Sequence, residues 1–66
     1  FPNPSSEFIT LEGIYKKQNF NIYNISGKEI IRGRVSKGEK IDIRSLENGL
    51  YFLKVEESSM FKLIKQ

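Results

Sequence analysis

The side chains that could carry out chemistry in this chain are carboxylates, hydroxyls and amines, because its 66 residues include no histidine and no cysteine. A two-carboxylate hydrolase needs a pair of acids held across a cleft, and no pair here has a distinctive setting. The carboxylates are Glu7, Glu12, Glu29, Glu39, Asp42, Glu47, Glu56 and Glu57. A serine triad of the usual kind requires histidine, and a thiolate metal site requires cysteine. We therefore predict no enzymatic activity, with no catalytic residue, no metal ligand and no cofactor.

The dipeptide Gly27-Lys28 suggests phosphate binding. A phosphate-binding loop needs several glycines leading into a helix, whereas a β-favouring segment follows Lys28. We interpret residues 24–28 as a hairpin turn, in which Gly27 supplies a positive φ and Asn24 or Ser26 bonds nearby backbone.

Aromatic side chains near cations are a second possible source of chemistry. Tyr23 and Phe52, beside Lys54 and Arg34, would make a stacking surface of the kind that binds single-stranded nucleic acid. The same side chains would equally serve as a second core face, and we expect no nucleic-acid partner. Tyr15, Tyr23 and Phe52 could instead stack on sugars. That alternative makes the chain a small β-sandwich accessory module that binds carbohydrate or another surface polymer.

Charge and apolar content bound the class of protein. Eleven basic and eight acidic residues give a net charge of +3, and the two signs are interleaved, which favours a solvated surface of mixed sign. The length allows one domain at most, and a hydrophobic content of 38% is enough for one thin core. No apolar run approaches the ~20 residues needed to cross a bilayer, so we expect no direct membrane insertion.

Short segments of alternating apolar and polar residues, separated by turn residues, recur along the chain. They predict an all-β fold: a small antiparallel β-sandwich, immunoglobulin-like, of six or seven short strands. The side chains expected to face inward are Phe20, Ile22, Ile41 and Ile43. Ile31 and Val35 are expected to share one face of their strand. Tyr51, Leu53 and Val55 are expected to share one face of another, with Leu50, Phe52 and Lys54 on its opposite face. Leu46 is expected to plug one end of the core from a loop or a single helical turn.

Two positions leave alternatives open. In the last strand the inward pair is either Phe61 and Leu63, which we favour, or Met60 and Ile64. Gly33 marks either a bulge or a close approach to its strand.

Prolines at positions 2 and 4 bias their preceding residues toward extended conformations and donate no backbone hydrogen bond. We expect residues 1–6 to be the end of a linker and the entry to the domain, and residues 7–66 to form the β-sandwich domain.

Several short motifs follow one another in a fixed order. They are Phe1-Pro2-Asn3-Pro4, Phe20 through Lys28, Ile41-Asp42-Ile43 through Leu46, Asn48 through Val55, and Lys62 through Gln66. In this order and spacing the chain resembles, over nearly its whole length, the type A C-terminal sorting domain of proteins exported by the type IX (Por) secretion system of Bacteroidetes. Asn24 stands where that family often has Asp, which leaves the turn chemistry intact.

The resemblance implies that the chain is the export signal of a larger cargo protein, which is joined covalently to its N-terminal side. This signal domain would fold in the periplasm and be recognised by the outer-membrane translocon. It would accompany the cargo to the cell surface or the extracellular space. A sortase-like peptidase would then remove it, so the domain would be a ligand and a substrate.

The resemblance also assigns roles to residues. Candidate translocon contacts are Lys28, Lys62, Leu63, Ile64 and Lys65. Motif residues expected to be structural are Pro2, Asn3, Pro4, Gly27, Gly49 and Tyr51. On physical grounds alone, Lys62 and Lys65 either dock a partner or protect an edge strand from pairing with other chains. We expect removal of residues 62–66 to block export while leaving the sandwich folded.

Overall fold

Six β-strands and no helix form the part of the chain that the computed structural model describes, residues 7–11, 16–56 and 59–66. The predictions for residues 1–6, including Pro2, Asn3 and Pro4, and for Tyr15 lie outside these residues. The strands are β1 (Phe8–Thr10), β2 (Gln18–Tyr23), β3 (Glu29–Val35), β4 (Lys40–Asp42), β5 (Gly49–Val55) and β6 (Ser59–Lys65).

The strands form two antiparallel sheets, which confirms the predicted small antiparallel β-sandwich. One sheet has four strands in the order β3-β2-β5-β6, and the other pairs β1 with β4. Ile9 lies opposite Ile41 in the small sheet, and Ile22 lies opposite Leu53 in the large one. A backbone bond from Ile43 N–H to Glu7 O (2.9 Å) extends the pairing of the small sheet.

A single apolar core draws side chains from both sheets, because alternate residues of each strand point to the same face. The buried members are Ile9, Leu11, Phe20, Ile22, Val35, Ile41, Ile43, Leu46, Tyr51, Leu53, Val55 and Leu63, with Ile31 packed against them. The predicted inward pairs of β2 and β4 are therefore confirmed. The residues predicted to share a face on β3 and on β5 do share one, and that face is the inward one.

The last strand follows the favoured register. Leu63 is fully buried, whereas Met60 is 58% exposed, so the odd-numbered residues face inward. Phe61 shares this face but is 41% exposed. It stands on the outermost strand of the described sheet, where only β5 flanks it.

The turn between β2 and β3 has the predicted chemistry. Gly27 adopts a φ of +87°, a region that suits glycine. The Asn24 side-chain oxygen accepts hydrogen bonds from the backbone N–H groups of Ser26 (2.9 Å) and Lys28 (3.0 Å). The turn thus satisfies its own backbone groups and sets the hairpin.

Gly33 allows a close approach rather than forming a bulge. A Cβ atom at this position would lie 3.1 Å from the Phe20 ring, which belongs to the paired residue on β2. The bulge falls nearby at Ile30, where the pairing changes from Ile22–Ile31 to Tyr23–Glu29.

A buried phenol fixes the turn that precedes β5. The Tyr51 hydroxyl donates a hydrogen bond of 2.7 Å to the carbonyl of Glu47. The same turn contains Leu46, whose N–H bonds Ile43 O (3.1 Å) and whose side chain enters the core. The prediction that Leu46 plugs the core is confirmed.

Two leucines on opposite faces of β5 test this account of the core. Replacing the fully buried Leu53 with Ala should lower the free energy of unfolding by about 2–5 kcal/mol, because it removes a packed side chain and leaves a cavity. Leu50→Ala, at a residue 38% exposed, should cost much less. Urea unfolding followed by circular dichroism measures both, and equal losses would contradict the assignment of faces.

Candidate recognition surface

The outer face of the four-stranded sheet is formed by the outward-facing residues of β3, β2, β5 and β6. On its β5 and β6 half, three cross-strand pairs point outward: Leu50 lies opposite Ile64, Phe52 opposite Lys62, and Lys54 opposite Met60. The first pair is apolar, and each of the other two joins an apolar residue to a lysine. We call these six residues the β5–β6 face. Tyr23 of β2 extends it, because Tyr23 lies opposite Phe52.

An open apolar depression of about 310 Å³ lies where this face meets the β2–β3 turn. Tyr23, Ile25 and Gly27 line it from the hairpin side, and Phe52 and Met60 line it from the sheet. Ile25 is 72% exposed although it is apolar. Two motifs that are remote in the sequence therefore share one surface feature.

Two of the predicted contact residues are exposed and a third is half-buried. Lys28 is exposed in the β2–β3 turn, and Lys62 is exposed on the β5–β6 face. Ile64 is half-buried on the same face as Lys62. These three side chains lie where a partner could contact the folded domain.

The other two predicted contact residues point the opposite way. Leu63 has no exposed surface, and Lys65 is only 8% exposed at the end of the same inward face. Their side chains contribute to the fold, so Leu63 cannot contact a partner while the core is intact. The recognition roles of all five residues stay predictions.

The position of β6 also changes the expectation for truncation. All seven of its residues pair with β5, and Leu63 belongs to the core. Removing residues 62–66 would take away more than half of a sheet strand. We now expect this truncation to unfold the domain rather than leave the sandwich intact.

A charged cluster covers the outside of the small sheet. The Arg44 guanidinium donates two hydrogen bonds to the Asp42 carboxylate, from Nε to Oδ1 (3.1 Å) and from Nη2 to Oδ2 (2.9 Å). These bonds, assisted by one from the Arg44 backbone N–H, hold the pKa of Asp42 below its ordinary value. The Arg44 Cζ atom lies 5.0 Å from the centre of the Phe8 ring, and Lys40 Nζ lies 5.7 Å from it.

Sequence reasoning missed part of both surfaces. Ile25 and Met60 were not predicted as surface contacts. An isolated apolar residue in a polar turn, such as Ile25, is nevertheless a sequence signal for an exposed contact. The cluster around Phe8 had no signal in the sequence, because it depends on the pairing of Phe8 with Asp42 across two strands.

The described residues contain no group of three side chains suited to hold a metal ion. Within the same part of the chain, no helix is long and apolar enough to cross a membrane. The described residues present strand faces and turns on a small all-β domain.

The family comparison identifies which domain of this class it is. The family model of the secretion system C-terminal sorting domain matches residues 1–66, and the chain belongs to this type IX (Por) family. Its function is that of a sorting signal that interacts with the type IX machinery and directs export toward the cell surface or the extracellular space. The family is not an enzyme family. No curated protein and no solved structure matches the chain.

The Asp42–Arg44 pair predicts a pH dependence. Because its pKa is lowered in the folded state, Asp42 stabilises the fold above the pKa it has in the unfolded chain, and this contribution is lost as the pH falls through the folded pKa. An NMR titration of the Asp42 carboxyl should show a low midpoint that rises in Arg44→Gln and stays unchanged in Arg32→Gln. Equal midpoints in the wild type and Arg44→Gln would contradict the assigned cause.

Proposed function

We propose that this domain labels a covalently linked N-terminal cargo for export, folds in the periplasm, and is recognised there by the outer-membrane translocon as a folded unit. The family match over residues 1–66 is the observation that carries the proposal. A folded core with exposed turns and strand faces supports recognition of a surface rather than of an extended peptide.

In this proposal the translocon contacts the β5–β6 face and the adjoining β2–β3 turn. Lys28, Lys62 and Ile64 make direct contacts, since all three have accessible surface on the folded domain. Leu63 and Lys65 act indirectly, because their side chains face inward and help to hold β6 on the sheet.

Gly27, Gly49 and Tyr51 also act indirectly, by maintaining the fold rather than by contacting the translocon. Gly27 and Gly49 have positive φ values, and Tyr51 ties the turn before β5 to the core. Substitution at these positions would reduce export by damaging the shape that the translocon recognises.

After export, a sortase-like peptidase removes the domain from the cargo. The domain is then a substrate of that peptidase and has no catalytic role of its own. The cargo remains at the cell surface or in the extracellular space.

The proposal is tested by fusing residues 1–66 to the C-terminus of a periplasmic reporter in a host with a functional type IX system. The reporter should appear at the cell surface or in the medium, and it should remain in the periplasm of a translocon-deficient strain. If it stays in the periplasm while another sorting domain of the family exports it, the proposal fails.

Charge removal within the same fusion tests the surface. The double variant Lys28→Gln, Lys62→Gln should lower the initial rate of export about tenfold, as expected for the loss of roughly 1.4 kcal/mol of binding free energy. Its matched control is Lys17→Gln, Lys37→Gln, which removes the same charge from exposed residues outside this surface.

Circular dichroism of the isolated variants should show a folded domain in each case, because all four lysines are exposed. Equal loss of export in the two double variants would show that net charge, and not this surface, is recognised.

A further inference from the structure

The β2–β3 half of the same outer sheet face carries a second feature, an open polar groove of about 470 Å³. Arg32 and Arg34 line it from β3, and their partners across the register, Asn21 and Asn19, line it from β2. We call these four residues the arginine groove. The two arginines are two positions apart on one strand, so their Cα atoms are about 7 Å apart.

The Arg34 guanidinium is held in place by a neutral partner. Its Nε donates to the Asn19 side-chain oxygen (3.0 Å), and no acid among the described residues forms an ion pair with it. Its positive charge is therefore oriented without being neutralised. An arginine that serves only solubility needs no such support.

A strained residue supports this arrangement. Glu56 has a φ of 55°, which is uncommon for a residue other than glycine and costs free energy. In this conformation its backbone N–H bonds Asn19 O (2.9 Å), and its carboxylate accepts the Asn19 N–H (3.2 Å). These two hydrogen bonds help to fix Asn19, the residue that orients Arg34.

Arg32 is the more open of the two cations. Its side chain is 79% exposed, and its Nε lies 3.9 Å from the Glu29 carboxylate, a distance too long for a hydrogen bond. Glu29 also accepts a hydrogen bond from the Asn21 amide. Glu56 also lines the groove, and both it and Glu29 keep their negative charge. Each carboxylate is bonded to an asparagine group, however, so the guanidinium forks of Arg32 and Arg34 remain suited to a carboxylate or phosphate.

The residues around the groove favour a saccharide as the molecule that bears the carboxylate or phosphate group. Asn19 keeps its amide NH₂ and Asn21 keeps its amide oxygen without a partner among the described residues, and both groups can bond hydroxyls. The next row of the sheet face holds Tyr23 and Phe52, half-buried and opposite each other, which offer apolar ring surface. A sugar ring combines hydroxyls with an apolar face, whereas a polynucleotide has at most one free hydroxyl per sugar within the chain.

We propose that the arginine groove binds an acidic saccharide, with carboxylate or phosphate groups on Arg32 and Arg34 and a sugar ring toward Tyr23 and Phe52. The proposal does not require the sorting role, because the arginine groove lies outside the β5–β6 face. The two surfaces share Phe52 and Tyr23, the residue that extends that face.

The test is an NMR titration of the 66-residue chain with oligogalacturonate at about 0.15 M ionic strength, where the Debye length is about 8 Å. Shifts should concentrate on residues 19–23 and 32–34. Arg32→Gln, Arg34→Gln should weaken binding about tenfold or more, since two charge-assisted contacts are lost. Asn19→Ala should weaken it to a smaller extent by releasing Arg34. The matched control Lys40→Gln, Arg44→Gln removes the same charge from exposed residues at and just after β4, in the other sheet. It should stay within about twofold of the wild type, because exposed charges more than a Debye length apart are screened.

Three further ligands test whether the groove prefers an acidic saccharide to a neutral saccharide, to a free anion or to a nucleic acid. A neutral oligosaccharide and inorganic phosphate should each bind more weakly than oligogalacturonate, because each satisfies only part of the site. Tighter binding of oligo-dT would overturn the choice of a saccharide. An equal loss in the control variant Lys40→Gln, Arg44→Gln, or an unchanged affinity in the arginine variant, would overturn the site itself.

Discussion

The apolar layer between the two sheets is the constraint on which the other features of this domain depend. A two-stranded sheet such as β1–β4 has little stability of its own in water, and the chain has no cysteine to form a disulfide. Ile9 and Ile41 of the small sheet are buried because the large sheet, which contributes Leu53 and Leu63 to the same core, covers them. Every strand must therefore present one apolar face inward, and its other face is left for solvent or for a partner.

This division separates the roles of the terminal motif. Neighbouring residues of β6 point to opposite faces, so Leu63 and Lys65 serve the fold while Lys62 and Ile64 lie on the accessible surface. A motif that is continuous in the sequence is thus split by the strand geometry. The same logic applies around Tyr51, which is buried between the outward-facing Leu50 and Phe52.

Local pattern was enough to predict most of the core. Alternation placed Phe20, Ile22, Ile41 and Ile43 on inward faces, and turn chemistry identified Gly27 because few other residues suit its φ. These features depend on neighbours within a few positions of the chain. The fate of Phe61 was not predictable in this way, because its exposure depends on what lies beside the outermost strand of a sheet.

The surfaces were harder to predict than the core, for a related reason. The arginine groove requires Arg34 to lie beside Asn19, and the apolar depression requires Ile25 to lie near Met60. Both juxtapositions depend on register and on the bulge at Ile30, which alternation alone does not specify. Composition showed that cations and aromatics were present, but not which of them would meet.

The central claim is that the export machinery recognises the β5–β6 face of the folded domain. Site-specific photo-crosslinking in type IX-competent cells tests it directly, with a photoreactive residue in place of Met60, which is 58% exposed on this face. The matched position is Lys37, exposed in the turn between β3 and β4. The account predicts a crosslink to an outer-membrane translocon component from position 60 and none from position 37. Crosslinks of equal yield from both positions, or from position 37 alone, would contradict it.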